Sequence, residues 1–232
     1  MGTVQFSEFR DEVRFLLKNR ADSNLTDGRI DRWINAAYRH MCLPAVHRFR
    51  EVEATFDHTL VVNDNTYGVD ETTIGRRIVG IQSVHHIQAA ADTPTVTKRK
   101  VSPRNHRWFD QRTLNSGPTV SLYTTFQETM LVSQVPNATA ADQLLRIRYW
   151  SEPDAMTQDA DTTLLPSYYD EVLQIGAQWL AERALGYRDA AQLTKQDYVS
   201  MLNEGDNSED LEAEDWGHQS DVNPNAQSSM GF

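Results

Sequence analysis

Six cations crowd one short stretch of the chain: Lys98, Arg99, Lys100, Arg104, Arg107 and Arg112, with His106 and Trp108 set among them. That pattern suits contact with phosphates or with an acidic protein surface. The plainer alternative is a solvated loop and helix face whose charges balance nearby acids. Trp108-Phe109 reads as a core anchor rather than a base-stacking platform, because one aromatic pair carries no specificity by itself. His85 and His86 are neighbours on a candidate strand and must point to opposite faces. They cannot readily share a metal, so one imidazole is expected in the core and the other in solvent. Asp159 and Asp161, followed by Thr162 and Thr163, sit at turn spacing with nothing nearby to desolvate them. Turn and capping roles are expected there in place of acid–base catalysis.

Other chemistries lack their residues. Neither GxGxxG nor GxxxxGK[ST] occurs, which removes the common phosphate cradles, and HExxH and GxSxG are missing too. The single cysteine, Cys42, excludes an internal disulfide and a Cys-rich zinc site. No metal and no cofactor are expected. The first twenty residues carry Glu8, Arg10, Asp11, Glu12, Arg14, Lys18 and Arg20, unlike the apolar segment of a signal peptide. No eighteen-residue apolar run appears, so no membrane contact is expected. The chain reads as a soluble protein made in a reducing compartment. The patterns at Asn24-Leu25-Thr26 and Asn137-Ala138-Thr139 then have no glycosylation meaning.

The elements that must position these residues change period along the chain. Phe6, Phe9, Val13, Leu16 and Leu17 recur at helical spacing, and after a polar break so do Ile30, Trp33, Ile34, Ala37, Tyr38 and Met41, with Thr26 placed to cap. From Glu51 the period becomes two: Val52, Ala54, Phe56 and Leu60 alternate with polar residues. Further strands are expected over 77–87, 119–126, 129–135 and 144–150. Ser102-Pro103 is expected to cap a short helix running to about Leu114. Helix returns after Pro166 with Val172, Leu173, Gly176, Trp179 and Leu180. A break near Gly186 precedes a last helix carrying Ala191, Tyr198, Met201 and Leu202.

The pattern predicts an α+β fold: a helix bundle built from N- and C-terminal helical hairpins, with an inserted, mostly antiparallel β region and an extended acidic C-terminal tail. The expected parts are 1–50, the N-terminal hairpin; 51–152, the β lobe; 153–202, the helices completing the bundle; and 203–232, the tail. The net charge of −11 is concentrated in that tail, which has eight acidic residues and no Lys or Arg, leaving −3 on residues 1–202. Leu211, Trp216 and Phe232 are isolated apolar anchors in the polar string. That arrangement suits an extended segment docking in grooves of another protein, with its acids steering the encounter.

Read in series, the motifs resemble the head-to-tail adaptor (connector) proteins of tailed double-stranded DNA bacteriophages. The resemblance begins with Leu25-Thr26-Asp27, Ile30 and the run Trp33-Ile34-Asn35-Ala36-Ala37-Tyr38-Arg39. It continues through Gly117-Pro118-Thr119 before a strand ending in Tyr123, then Arg148-Tyr149-Trp150 with Pro153, Met156 and the acidic Asp159 and Asp161. Leu165-Pro166, Tyr168 and Asp170-Glu171-Val172-Leu173 then open an Ala-rich helix. It spans about Phe6 to Leu202 and leaves the tail outside. Tyr67-Gly68-Val69-Asp70 departs from the Tyr-x-Leu-Pro element of many relatives.

The resemblance implies a structural role in the virion neck, between capsid portal and tail, and no enzymatic activity. It implies a ring, typically of twelve copies, beneath the portal protein, with a tail or nozzle protein below and DNA only in passage through the channel. The resemblance also names the portal as the partner for Leu211, Trp216 and Phe232. Two alternatives stand beside it: a nucleic-acid-binding module using the cations of 98–112, and a virion-associated wall hydrolase.

Overall fold

The computed structural model describes residues 4–18, 25–89 and 96–217, with side chains described over 4–18, 25–88 and 97–204. Helices and strands are both abundant, and the fold is α+β. The chain divides into two compact units, Met1–Met41 with Ala155–Phe232, and Cys42–Asp154.

The first unit is helical. Helix α1 (Phe6–Leu16) buries Phe6, Phe9 and Val13, and Glu8 Oε2 accepts from the Gln5 amide at 2.9 Å to satisfy its first turn. Helix α2 (Asp27–Met41) starts on the Thr26 carbonyl, which accepts from the amides of Arg29 and Ile30. It buries Ile30, Ile34, Ala37, Tyr38 and Met41. Trp33 is only half-buried. It sits at the margin of the stripe that the spacing assigned to it.

Helix α5 (Tyr169–Ala184) opens with Asp170 and Glu171 at its positive end, and Gly186, at φ 88°, adopts the left-handed turn that follows it. Helix α5 packs against α1, α2 and α6 (Arg188–Gly217). Gly176 is where α5 comes closest to its neighbours. A Cβ there would lie 2.8 Å from a ring carbon of Tyr198 on α6 and 3.4 Å from Ala37 Cβ on α2. Around that notch Trp179 stacks on Tyr198 at 5.7 Å, and His40 Nδ1 meets the Tyr198 hydroxyl at 2.9 Å. The seam is closed by aromatic contact and by the absence of one side chain.

The second unit is a seven-stranded sheet in the order β1-β9-β3-β4-β6-β7-β2, every pair antiparallel except β4 with β6. The long strands are β1 (Glu53–Thr59), β3 (Ile78–Ala89), β4 (Val96–Pro103) and β9 (Leu144–Ser151). Shorter ones are β2 (Thr66–Gly68), β6 (Leu122–Phe126) and β7 (Thr129–Val132), with β5 (Ser116–Gly117) and β8 (Val135–Pro136) as a separate parallel pair. Val84, Val101, Leu145, Ile147 and Tyr149 share one buried face with Tyr123, Met130 and Val132. Two short helices, α3 (Glu71–Ile74) and α4 (His106–Asp110), complete the unit.

Three expectations need correction. The stretch from Val96 to Pro103 is strand β4, because β3 supplies a hydrogen-bonded partner for it and only Val101 need be buried. Helix α4 is therefore short, and its cap is Asn105, whose side chain accepts from the Arg107 amide at 3.0 Å. The C-terminal segment is helical as far as Gly217 rather than extended. It holds Glu, Ala and Leu and no proline before Pro224, so its backbone propensities let a helix already nucleated on α5 continue through it. Residues 218–232, Phe232 among them, lie outside the described residues.

Candidate functional site

The cations of 98–112 come from three local structures. On β4, Lys98 and Lys100 occupy one face and Arg99 the other, in register with Ile87, His85 and His86 of β3. Arg104 follows the strand, its amide held by the Tyr123 carbonyl at 2.8 Å. Arg107 and Arg112 belong to α4 and the turn after it, where the Arg112 guanidinium lies 4.6 Å above the Trp108 ring. Trp108 meets Phe109 edge-on at 5.1 Å, but only Phe109 is buried, so the anchor role falls to that residue alone.

All six cations are exposed. Among the described residues none of them forms an ion pair. The one carboxylate of α4, Asp110, is taken by His106 at 3.0 Å. Several cations elsewhere are matched. Arg146 grips Asp57 through two hydrogen bonds of 2.8 and 2.6 Å, which hold the Asp57 carboxyl below its ordinary range. Arg148 lies 3.5 Å from Glu53, and Arg10 joins Asp31 at 2.8 Å and Asp159 at 3.0 Å. The strip from β4 to the turn after α4 is thus a dense run of exposed positive charge without ion pairs among the described residues.

The acid–base candidates have structural occupations. The Asp161 carboxylate accepts from the amides of Thr157 and Gln158, which pull its pKa down. His86 is buried; its Nδ1 accepts from the Val120 amide at 3.2 Å, and burial lowers its pKa against a smaller opposing pull from Gln143. His85, on the opposite face, is half-exposed. Burial, reinforced by Glu51, pushes the Cys42 thiol up to about 12. Sequence reasoning missed the buried Glu182, whose carboxylate accepts from Gln178 and Thr194, each at 2.8 Å. The available signal was its place three residues after Trp179, on the buried stripe of α5. A groove of about 430 Å³ in the helical unit is lined by Phe6, Asp31, Arg32, Asn35 and Met156 among others. Its acid, Asp31, is already paired with Arg10.

Of the three apolar anchors, Leu211 and Trp216 lie within α6. They are five positions apart on a helix, offset by about 140° around its axis. They do not form the extended string that the composition suggested.

A family model described as SU10 adaptor protein matches residues 4–224. The chain belongs to that family. The adaptor is thus a phage structural protein, a component of the virion that interacts with other head or tail proteins, and its family is not a class of enzymes. The match runs past Leu202 and takes in most of the acidic segment, which the motif resemblance had left outside. No curated protein matches the chain closely enough to count as a relative. Among the described residues, no helix of the adaptor is long and apolar enough to cross a membrane.

Proposed function

We propose that this adaptor forms a ring beneath the portal vertex, extends the DNA channel there and offers the platform on which the tail is built. The observation carrying this reading is the family match over residues 4–224. In this reading α1, α2, α5 and α6 form a four-helix bundle, and the ring, typically of twelve copies, closes through heterologous contacts between neighbours. Leu211, Trp216 and Phe232 engage the portal, while a tail or nozzle protein binds below. Free protein is largely monomeric, because rings closing early would compete with the portal-bound product. The portal acts as a template that raises the local concentration of copies.

The test is electron cryo-microscopy of the adaptor mixed with its portal. A ring coaxial with one end of the portal is expected; portals without added density overturn the reading. Truncation after Leu202 separates the docking role, since the body should remain folded while portal binding is lost. The unpaired strip favours a second reading, a nucleic-acid-binding module. That reading requires duplex affinity in the isolated protein that falls steeply with salt.

A further inference from the structure

Helix α6 is longer than its partner. At 30 residues against the 16 of α5, and joined to it by a tight turn at Gly186, it outruns α5 by fourteen residues, or about 21 Å. Tyr198 and Leu202 are buried on the overlapping part. Beyond them the helix carries seven carboxylates from Glu204 to Asp215 and no cation.

Such a stretch is electrostatically unsound by itself. Asp206, Asp210 and Glu214 follow one another at i,i+4 spacing, where like charges repel. The carboxylates also sit at the helix C-terminus, where the macrodipole is already negative. A helix of this kind is stabilised only by cations brought to it from elsewhere. The densest group of exposed cations without ion pairs among the described residues is Lys98, Arg99, Lys100, Arg104, Arg107 and Arg112, which line both faces of β4 and continue along α4.

We infer that the carboxylates of the α6 extension dock on the β4–α4 strip of a second copy, making this the charged contact between neighbouring subunits, while Leu211 and Trp216 of the same segment remain for the portal. The inference rests on the adaptor reading and names the surfaces its ring would join. An acidic projection on one unit and a basic strip on the other are different patches. Their union is head-to-tail, the geometry that a closing ring demands. The cations of the strip offset the carboxylates brought to them, and assembly through this contact should weaken sharply with salt. The extension reaches past its own hairpin partner by about two helix diameters, enough to touch an adjacent molecule.

The experiment uses full-length protein, unlabelled and nitrogen-15-labelled in equal amounts, concentrated together at low ionic strength. A carbodiimide then condenses the Lys98 or Lys100 amine with a carboxyl of residues 204–215, forming an amide with loss of water. Mass spectrometry of the digest reports which copies were joined. Mixed-isotope pairs as abundant as single-isotope pairs are expected, disappearing at high salt. Replacing Arg99, Arg104, Arg107 and Arg112 by Gln keeps both reactive lysines and should lower the mixed yield about tenfold or more. Links confined to single-isotope pairs place the extension on its own subunit and overturn the inference, as does the absence of such links. Salt-sensitive binding of a random duplex in place of the links assigns the strip to nucleic acid and overturns it as well. A ring on the portal without these links defeats this contact alone, whereas links without a ring support the contact and defeat the ring.

Discussion

The seam between α2, α5 and α6 and the strip on β4 and α4 are opposites in how they treat polar groups. In the seam, Glu182 takes donors from Thr194 and Gln178, and His40 meets Tyr198. On the strip, six charges stand in solvent without an ion pair among the described residues, the nearby Asp110 being held by His106. The difference teaches where selection for the monomer ends. Satisfied groups under a packed surface hold the fold, and their loss is read as stability. Unmatched exposed charges add little to the fold of one chain, so their loss is read as association.

The largest effect that would break this comparison is a cavity beside the seam. Ile34→Ala, at a fully buried position on α2, is expected to cost about 2–5 kcal/mol in chemical denaturation. Trp33→Ala should cost distinctly less, because that ring is only half-buried. Equal losses would show that α2 presents a different face. Next comes Gly176→Ala, whose methyl must displace the Tyr198 ring and is expected to destabilise by about 1–3 kcal/mol. Unchanged stability there would mean that the close approach of α5 to α6 is not needed.

Thr194→Val removes one donor from a buried carboxylate and should cost about 1–3 kcal/mol. Acid provides a gentler probe. His40, His58 and His86 all have pKa values lowered from 6.5, chiefly by burial. The unfolded chain therefore binds these protons first. Stability should be full above about pH 6.5, fall as pH drops below it, and level off beneath the folded values. A flat denaturation midpoint from pH 7 to pH 5 would contradict the burial of these rings.

The smallest effect sharpens the contrast. Replacing Lys98, Arg99, Lys100, Arg104, Arg107 and Arg112 together by Gln should shift stability by no more than about 0.5 kcal/mol per site in denaturant melts. A large loss would show that the strip has partners inside the monomer.

Much of the fold was legible where one face is buried over many turns. Phe6, Phe9 and Val13, or Ile30, Ile34 and Ala37, repeat at 3.6, and β1 from Ala54 and β9 as far as Tyr149 alternate. Strand β4 was illegible because Lys98-Arg99-Lys100 shows no alternation. Hydrogen bonds from β3 make it a strand, and the partners of Lys98, Arg99 and Lys100 there are Ile87, His86 and His85, outside any local pattern. Strands of two or three residues, such as β2, β5 and β8, are too short to have a period. The extent of α6 was hidden by composition, since acidic and small residues read as tail until a nucleated helix continues through them. The cations of the candidate site could be read directly. Their lack of partners could not, because pairing is decided by contacts such as Arg146 with Asp57, 89 positions apart.

The division of the chain also orders its synthesis. The β unit is one continuous stretch, Cys42–Asp154, while the helical unit is written in two pieces on either side of it. Asn35 must wait for Met156, 121 positions later, before its side chain can accept from that amide and donate to that carbonyl. On the ribosome, the sheet can complete its ladder while α1 and α2 still lack the helices they pack against. Two amphipathic helices are then left with their apolar faces open during translation of the whole middle of the gene. A chaperone that shields emerging helices should therefore raise the yield of this protein more than that of its isolated sheet.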